Sequence, residues 1–137
     1  LVEIGKASVC KEGQDVVIIA FSIQVFEAMR AAEMLAEQGI SASVIDLRTL
    51  RPLDLQTIID IVKHTNRVII VEGGWPFAGI CAEIAMQIME NAFDYLDAPI
   101  KTLNGSFSPT PYSPSLESEI IPDSAIIKQK IIDMFNE

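Results

Sequence analysis

The run RVIIVEGGWPFAGICAEIAMQIMENAF, residues 67–93, decides how this chain folds. It opens on apolar, mostly β-branched residues, which read as a buried strand over 67–72. It closes on apolar residues at helical spacing, which predict a helix over 79–91. An acidic residue, two glycines and the only tryptophan therefore occupy a strand-to-helix turn, VEGGWPFAG at 71–79. In an open α/β sheet such turns line the ligand crevice. The turn is thus the first place to look for a cofactor, for chemistry or for a protein contact.

The same alternation extends in both directions. KASVC (6–10) reads as a short lead-in strand, followed by a turn at KEGQ. DVVIIAF (15–21) is apolar on both faces, as a central parallel strand is. Between Gln24 and Gln38 the residues Val25, Ala28, Met29, Ala32, Leu35 and Ala36 recur at helical spacing, and Gly39 follows where a C-terminal cap is expected. SASVIDL (41–47) is the next strand. Asp54 is placed to cap a helix over 55–63 that buries Leu55, Ile58, Ile59 and Val62. IKTLN (100–104) reads as the last strand. Prolines at 109, 111, 114 and 122 then argue against regular structure until a closing helix, 123–136, with Ile127, Ile131, Met134 and Phe135 on its buried face. Strands separated by helices imply βαβ units. The expected architecture is a three-layer α/β/α sandwich with a mixed sheet of about five strands, mostly parallel. The turn after the lead-in strand suggests one antiparallel edge strand.

Composition narrows the function. The 137 residues make a single domain over 1–137, and half of them are apolar, enough for a sizeable core. A net charge of −9 argues against nucleic acid and anionic membrane surfaces and suits a basic protein partner. Cys10 and Cys81 form no CxxC and are expected to be two buried thiols in a reducing compartment. The opening LVEIGKASVCKEG lacks the marks of a signal peptide. It also has no initiator Met and enters directly with apolar residues, so a fragment of a longer polypeptide is expected.

Motifs for chemistry are scarce. No GxGxxG follows the first long strand, and no GxxxxGK[ST] occurs, which argues against a nucleotide cradle. Glu72, at a strand's C-terminal end, suits either a catalytic carboxylate or an acid accepting N–H bonds from its own Gly-Gly turn. His64, the only histidine, sits in the last turn of a helix, where a cation complements the dipole. No acid is spaced to orient it. No His, Cys and carboxylate cluster suggests a metal. Trp75 is bulky for a surface turn and reads as a core or interface aromatic, with interface preferred.

Four stretches carry a resemblance: VIDLRTLRPLD (44–54), KHTNRVIIVEGGWPFAGICAEIA (63–85), AFDYLDAPI (92–100) and PTPYSPSLE (109–117). Together they resemble, over about 4–135, the C-terminal domain of pyruvate dehydrogenase β subunits, and more broadly the transketolase C-terminal domain. Phe107, where an acidic residue is expected, and Ser113, where Ala is usual, depart from the pattern. The resemblance implies an oxidoreductase that binds thiamine diphosphate and Mg²⁺ between an α subunit and the preceding part of β. Neither Glu72 nor His64 matches that family's catalytic residues, so this domain alone is expected to hold no catalytic residue, cofactor or metal. It implies instead an assembly domain for an α₂β₂ tetramer, in the bacterial cytoplasm or the mitochondrial matrix. Such a domain docks the basic peripheral subunit-binding domain of dihydrolipoyl acetyltransferase. Carried over residue by residue, Asp97 of the LDAP motif becomes a partner-binding group, and so does the C-terminal carboxylate, which is that of Glu137 provided the chain ends naturally there. The residues of VEGGWPFAG themselves read as a packing turn, in which Gly73 and Gly74 permit tight backbone geometry and Trp75, Pro76 and Phe77 supply apolar area for a subunit interface. The competing readings are the matching domain of a branched-chain 2-oxo acid dehydrogenase and a stand-alone ligand-binding α/β module.

Overall fold

A computed structural model describes residues 1–137. In chain order the elements are β1 (Ser8–Lys11), β2 (Val16–Ala20), α1 (Gln24–Ala36), β3 (Ala42–Asp46), α2 (Leu55–Thr65), β4 (Val68–Val71), α3 (Ile80–Ala92), β5 (Lys101–Leu103), α4 (Pro114–Ile120) and α5 (Ser124–Asn136). A 3₁₀ turn, Phe93–Tyr95, follows α3. The strands form one sheet in the order β1-β3-β2-β4-β5. β3, β2, β4 and β5 run parallel, and β1 is antiparallel to β3.

The layering follows from the two-residue period of a strand. On β2, Val16, Ile18 and Ala20 face one core together with Ala28, Ala32 and Leu35 of α1 and Ile127 and Ile131 of α5. Val17 and Ile19 face the other, with Ile58 and Val62 of α2 and Ile84 and Ile88 of α3. All five β2 residues are fully buried, as the unbroken apolar run predicts. The expected three-layer sandwich is the fold observed.

Local signals explain the helix ends. Gly39 has φ +80°, and its N–H and that of Ile40 return to the carbonyls of Ala36 and Leu35, closing α1. Asp54 caps α2: Oδ1 accepts from the Thr57 N–H and Oδ2 from the Thr57 hydroxyl at 2.8 Å. Oδ2 also accepts the Ala7 N–H at 3.0 Å, so the cap ties the chain ahead of β1 to α2.

Four expectations need correction. The antiparallel edge strand is present, but β1 pairs with β3 rather than with its chain neighbour β2, so the turn after it makes no hairpin. The proline-rich segment is not wholly irregular. Pro114 stands in the first turn of α4, where a missing N–H costs nothing. Cys10 is exposed on the edge strand, and only Cys81 is buried. Phe135 is 37 % exposed, capped by the Arg67 guanidinium 4.7 Å from its ring centre.

Candidate functional site

The strand order reverses beside β2, since β3 lies on one side of it and β4 on the other. Ligands of open α/β sheets bind at such a switch point, beyond the strands' C-terminal ends. Here that place is furnished by Ser22 and Gln24 after β2, by Glu72 and Gly73 after β4, and by Asn104 and Gly105 after β5.

Glu72 is 5 % exposed, and its Oε1 accepts from Nδ2 of Asn104. The bond partner expected for Glu72 was its own glycine turn; the structure supplies a side-chain amide from the neighbouring strand end instead. Burial, the Glu72 charge and a hydrogen bond to Glu72 together push the Cys81 thiol far above its ordinary value. The role of the glycines also shifts. Neither Gly73 nor Gly74 has a positive φ; the left-handed residue of the turn is Ala78, at +57°. The close approaches occur at Gly79, where a Cβ would strike Glu72 Oε1 and the Trp75 carbonyl, and at Gly105, where it would strike the Gly73 carbonyl.

The Glu72 carboxylate lies among the strand ends of this crevice, and the helices that start beside it, α1 and α3, carry no side-chain cap. No group of three or more His, Cys, Asp or Glu side chains is placed to share a metal ion. His64 is exposed and takes part in no ion pair.

The turn is anchored from outside. Trp75 is half exposed; its ring lies 4.8 Å from that of Phe107, and Nε1 donates to the Ser108 carbonyl at 3.1 Å. Gly105 N–H donates to the Gly74 carbonyl. Phe107, the departure noted in the sequence, is thus the aromatic partner of Trp75. Gly73, Gly74, Pro76 and Phe77 are exposed, Phe77 at 81 %. Trp75, Pro76 and Phe77 thus stand uncovered side by side on the turn, apolar surface of the kind that marks contact sites.

The second group of residues lies at the opposite end of the sheet, beside the start of β4. Asp97 Oδ2 lies 3.7 Å from Nη1 of Arg67, and its backbone N–H donates to the Asn66 carbonyl at 2.8 Å. Asn66, at φ +61°, caps α2 and donates to the Tyr95 carbonyl, fixing the turn that presents Asp97. Arg67 also covers Phe135, two residues before Glu137, and Glu137 Oε2 pairs with Lys101 Nζ at 2.6 Å. Asp97 and the end of α5 thus share one corner through Arg67. Beside it opens an apolar cavity of about 560 Å³, lined by Ala85, Met89, Phe93, Leu96, Pro99 and Ile100.

Sequence reasoning passed over Gln24 and Asn104. An amide among helical apolar residues reads as solvated surface, and one at a strand end reads as a turn former. Only the tertiary fold puts Gln24 at 1 % exposure and Asn104 against a carboxylate.

Comparison with known proteins agrees with this fold. A family profile described as "Transketolase, C-terminal domain" matches residues 5–127. The mitochondrial pyruvate dehydrogenase subunit beta of Dictyostelium discoideum is 54 % identical over 118 residues, covering 86 % of this chain and 33 % of that protein. The pyruvate dehydrogenase subunit beta of Rickettsia bellii is 52 % identical, covering 86 % and 36 %. The mitochondrial subunit beta-1 of Arabidopsis thaliana is 50 % identical, covering 87 % and 33 %. The chain thus spans about a third of the length of these relatives. Among solved structures, a split-gene transketolase in an inactive β₄ tetramer superposes with a TM-score of 0.85 at 24 % identity, covering 98 % of this chain and 44 % of that one. A transketolase variant from Pichia stipitis gives 0.64 at 15 %, covering 95 % and 18 %. At such identities the superpositions speak for the fold alone.

Proposed function

We propose a function from one premise: the chain belongs to the transketolase C-terminal domain family. The reading supported best is the C-terminal assembly and docking domain of a pyruvate dehydrogenase β subunit. The observation that carries it is the half-identity to pyruvate dehydrogenase β subunits over nearly the whole chain. The same relatives favour pyruvate over a branched-chain 2-oxo acid. The intact α₂β₂ enzyme, with thiamine diphosphate and Mg²⁺, decarboxylates pyruvate and passes the acetyl group to a lipoyl arm. This domain contributes surface rather than chemistry. On this reading the cofactor is held elsewhere in the assembly, between the α subunit and the preceding part of β.

Two surfaces divide the work. The patch of Trp75, Pro76 and Phe77 on its Gly73-Gly74 turn packs against the α subunit or the second β subunit. Asp97, with Glu137 at the end of α5 beside it, receives the basic peripheral subunit-binding domain of dihydrolipoyl acetyltransferase. The adjacent apolar cavity supports that role, since a docking site needs an apolar centre beside its charges. The net charge of −9 steers a basic partner inward. No helix is long and apolar enough to cross a membrane. Relatives are mitochondrial or bacterial, which supports a matrix or cytoplasmic setting.

Titration calorimetry tests the division. The 137-residue chain should show no saturable heat with thiamine diphosphate and Mg²⁺, whereas a tetramer assembled with the α subunit should bind both and turn over pyruvate. Saturable micromolar binding by the chain alone, or a tetramer that prefers branched-chain 2-oxo acids, would overturn the reading.

A further inference from the structure

The first turn of α1 holds a side-chain amide with nothing to bond. Gln24 is 1 % exposed, and neither Oε1 nor Nε2 has a hydrogen-bond partner. Folded proteins leave few such groups unsatisfied, and each one asks for an explanation. Gln24 borders a cavity of about 320 Å³ between the start of α1, α4 and the α4–α5 connection. Its walls carry Pro114, Ile121 and three carboxylates, those of Glu27, Glu117 and Asp123, with no basic residue among them. Two of the carboxylates are already engaged. Glu27 accepts the Ser124 N–H at 2.9 Å, and Asp123 caps α5 through the Ile126 N–H at 2.8 Å. Glu117 enters none of the three ion pairs.

We infer that this cavity receives a carboxamide carried on a cationic segment of a partner polypeptide. An amide offers a donor and an acceptor side by side, and only a group with both, such as a second amide, satisfies Oε1 and Nε2 at once. The unengaged Glu117 and the acidic rim favour positive flanks on that segment. α4 is the lid. Its seven residues include none that is buried, so little apolar contact is lost when it lifts to admit the ligand. The site lies at the opposite end of the parallel strands from Asp97, and it stands or falls apart from the docking role assigned there.

Nuclear magnetic resonance on the ¹⁵N-labelled chain tests this with the blocked tripeptide acetyl-Lys-Gln-Lys-amide. The expected result is saturable shifts confined to the start of α1 and to α4. The Met-centred tripeptide should bind at least tenfold more weakly, and so should a Glu-flanked one. Glu117→Gln should weaken binding severalfold and flatten its salt dependence. Gln24→Met should abolish binding yet raise the Tm of the free chain, because it removes an unsatisfied amide. No shifts at millimolar peptide, equal binding of the Met-centred tripeptide, or a Tm lowered by Gln24→Met would overturn the inference. The last outcome would mean that the amide is satisfied by structural water.

Discussion

The side-chain amide of Asn104 donates to the buried carboxylate of Glu72, joining the end of β5 to the end of β4. The bond has two consequences. It makes Glu72 an acceptor inside the switch point, and it holds the edge strand β5, which is only three residues long, against the sheet. Removing Asn104 leaves a nearly buried carboxylate short of its donor, and that costs more than the bond itself is worth. Asn104→Ala should therefore destabilise the chain by about 2–4 kcal/mol in urea unfolding. The double variant with Glu72→Gln should lose less than the sum of the two single variants. Additive losses would show that the two side chains act independently.

The glycines of the turn differ in what they permit. A Cβ at Gly79 meets Glu72 Oε1 and the Trp75 carbonyl, one of them backbone that cannot step aside. A Cβ at Gly74 meets only the far end of the Glu72 side chain, at 3.4 Å. Gly79→Ala should cost about 2–4 kcal/mol and Gly74→Ala less than about 1 kcal/mol. Equal melting temperatures for the two variants would mean that the turn adjusts freely at both positions.

Most of the architecture was legible because it rests on periodicity. DVVIIAF is apolar on both faces, and β2 lies fully buried in the centre of the sheet. Gly39 and Asp54 mark helix ends through local backbone chemistry, and both act where expected. The misreadings share a different cause. The partner of β1, the exposure of Cys10 and the Asn104–Glu72 bond are each set by contacts between residues distant in the chain. Periodicity within one segment carries no information about these. The prolines misled for a local reason: Pro114 at a helix's first turn starts α4 rather than preventing it. The resemblance named Asp97, but only the fold supplies its neighbour Arg67 and the cavity beside it.

Asp54 should make the fold acid-sensitive. Burial alone would raise its pKa, but the Ala7 N–H, both Thr57 donors and the Lys6 charge outweigh it and hold the carboxyl below its ordinary 3.8. A carboxyl depressed in the fold adds stability that is present above its unfolded value. That stability is lost as pH falls from about 3.8 through the lower folded value. Asp54→Asn keeps a capping side chain but loses the charge. It should cost about 1–2 kcal/mol at pH 7 and show a flatter fall in stability below pH ~4 than the parent chain. Parallel acid limbs in urea midpoints measured across pH 2.5–7 would remove Asp54 from the acid response.

Asp97 and Arg67 make opposite predictions for docking. Their ion pair, 3.7 Å long with Asp97 57 % and Arg67 30 % exposed, is worth little in the free chain. Covered by a basic partner, the same carboxylate becomes a desolvated acceptor, and Arg67 becomes the like charge that the partner must approach. In a tetramer carrying this domain, Asp97→Ala should weaken binding of the peripheral subunit-binding domain by about 2–5 kcal/mol, mainly through faster dissociation. Arg67→Leu should do the reverse, speeding association at low salt by removing a repulsive charge. Surface plasmon resonance at two salt concentrations reads both rates. A loss below about 1 kcal/mol that vanishes at high salt would demote Asp97 to a rim charge. An unchanged dissociation rate would remove it from the docking surface. If Arg67→Leu slowed association, the partner would have to reach this corner through an acidic group, and the charge argument for docking here would fail.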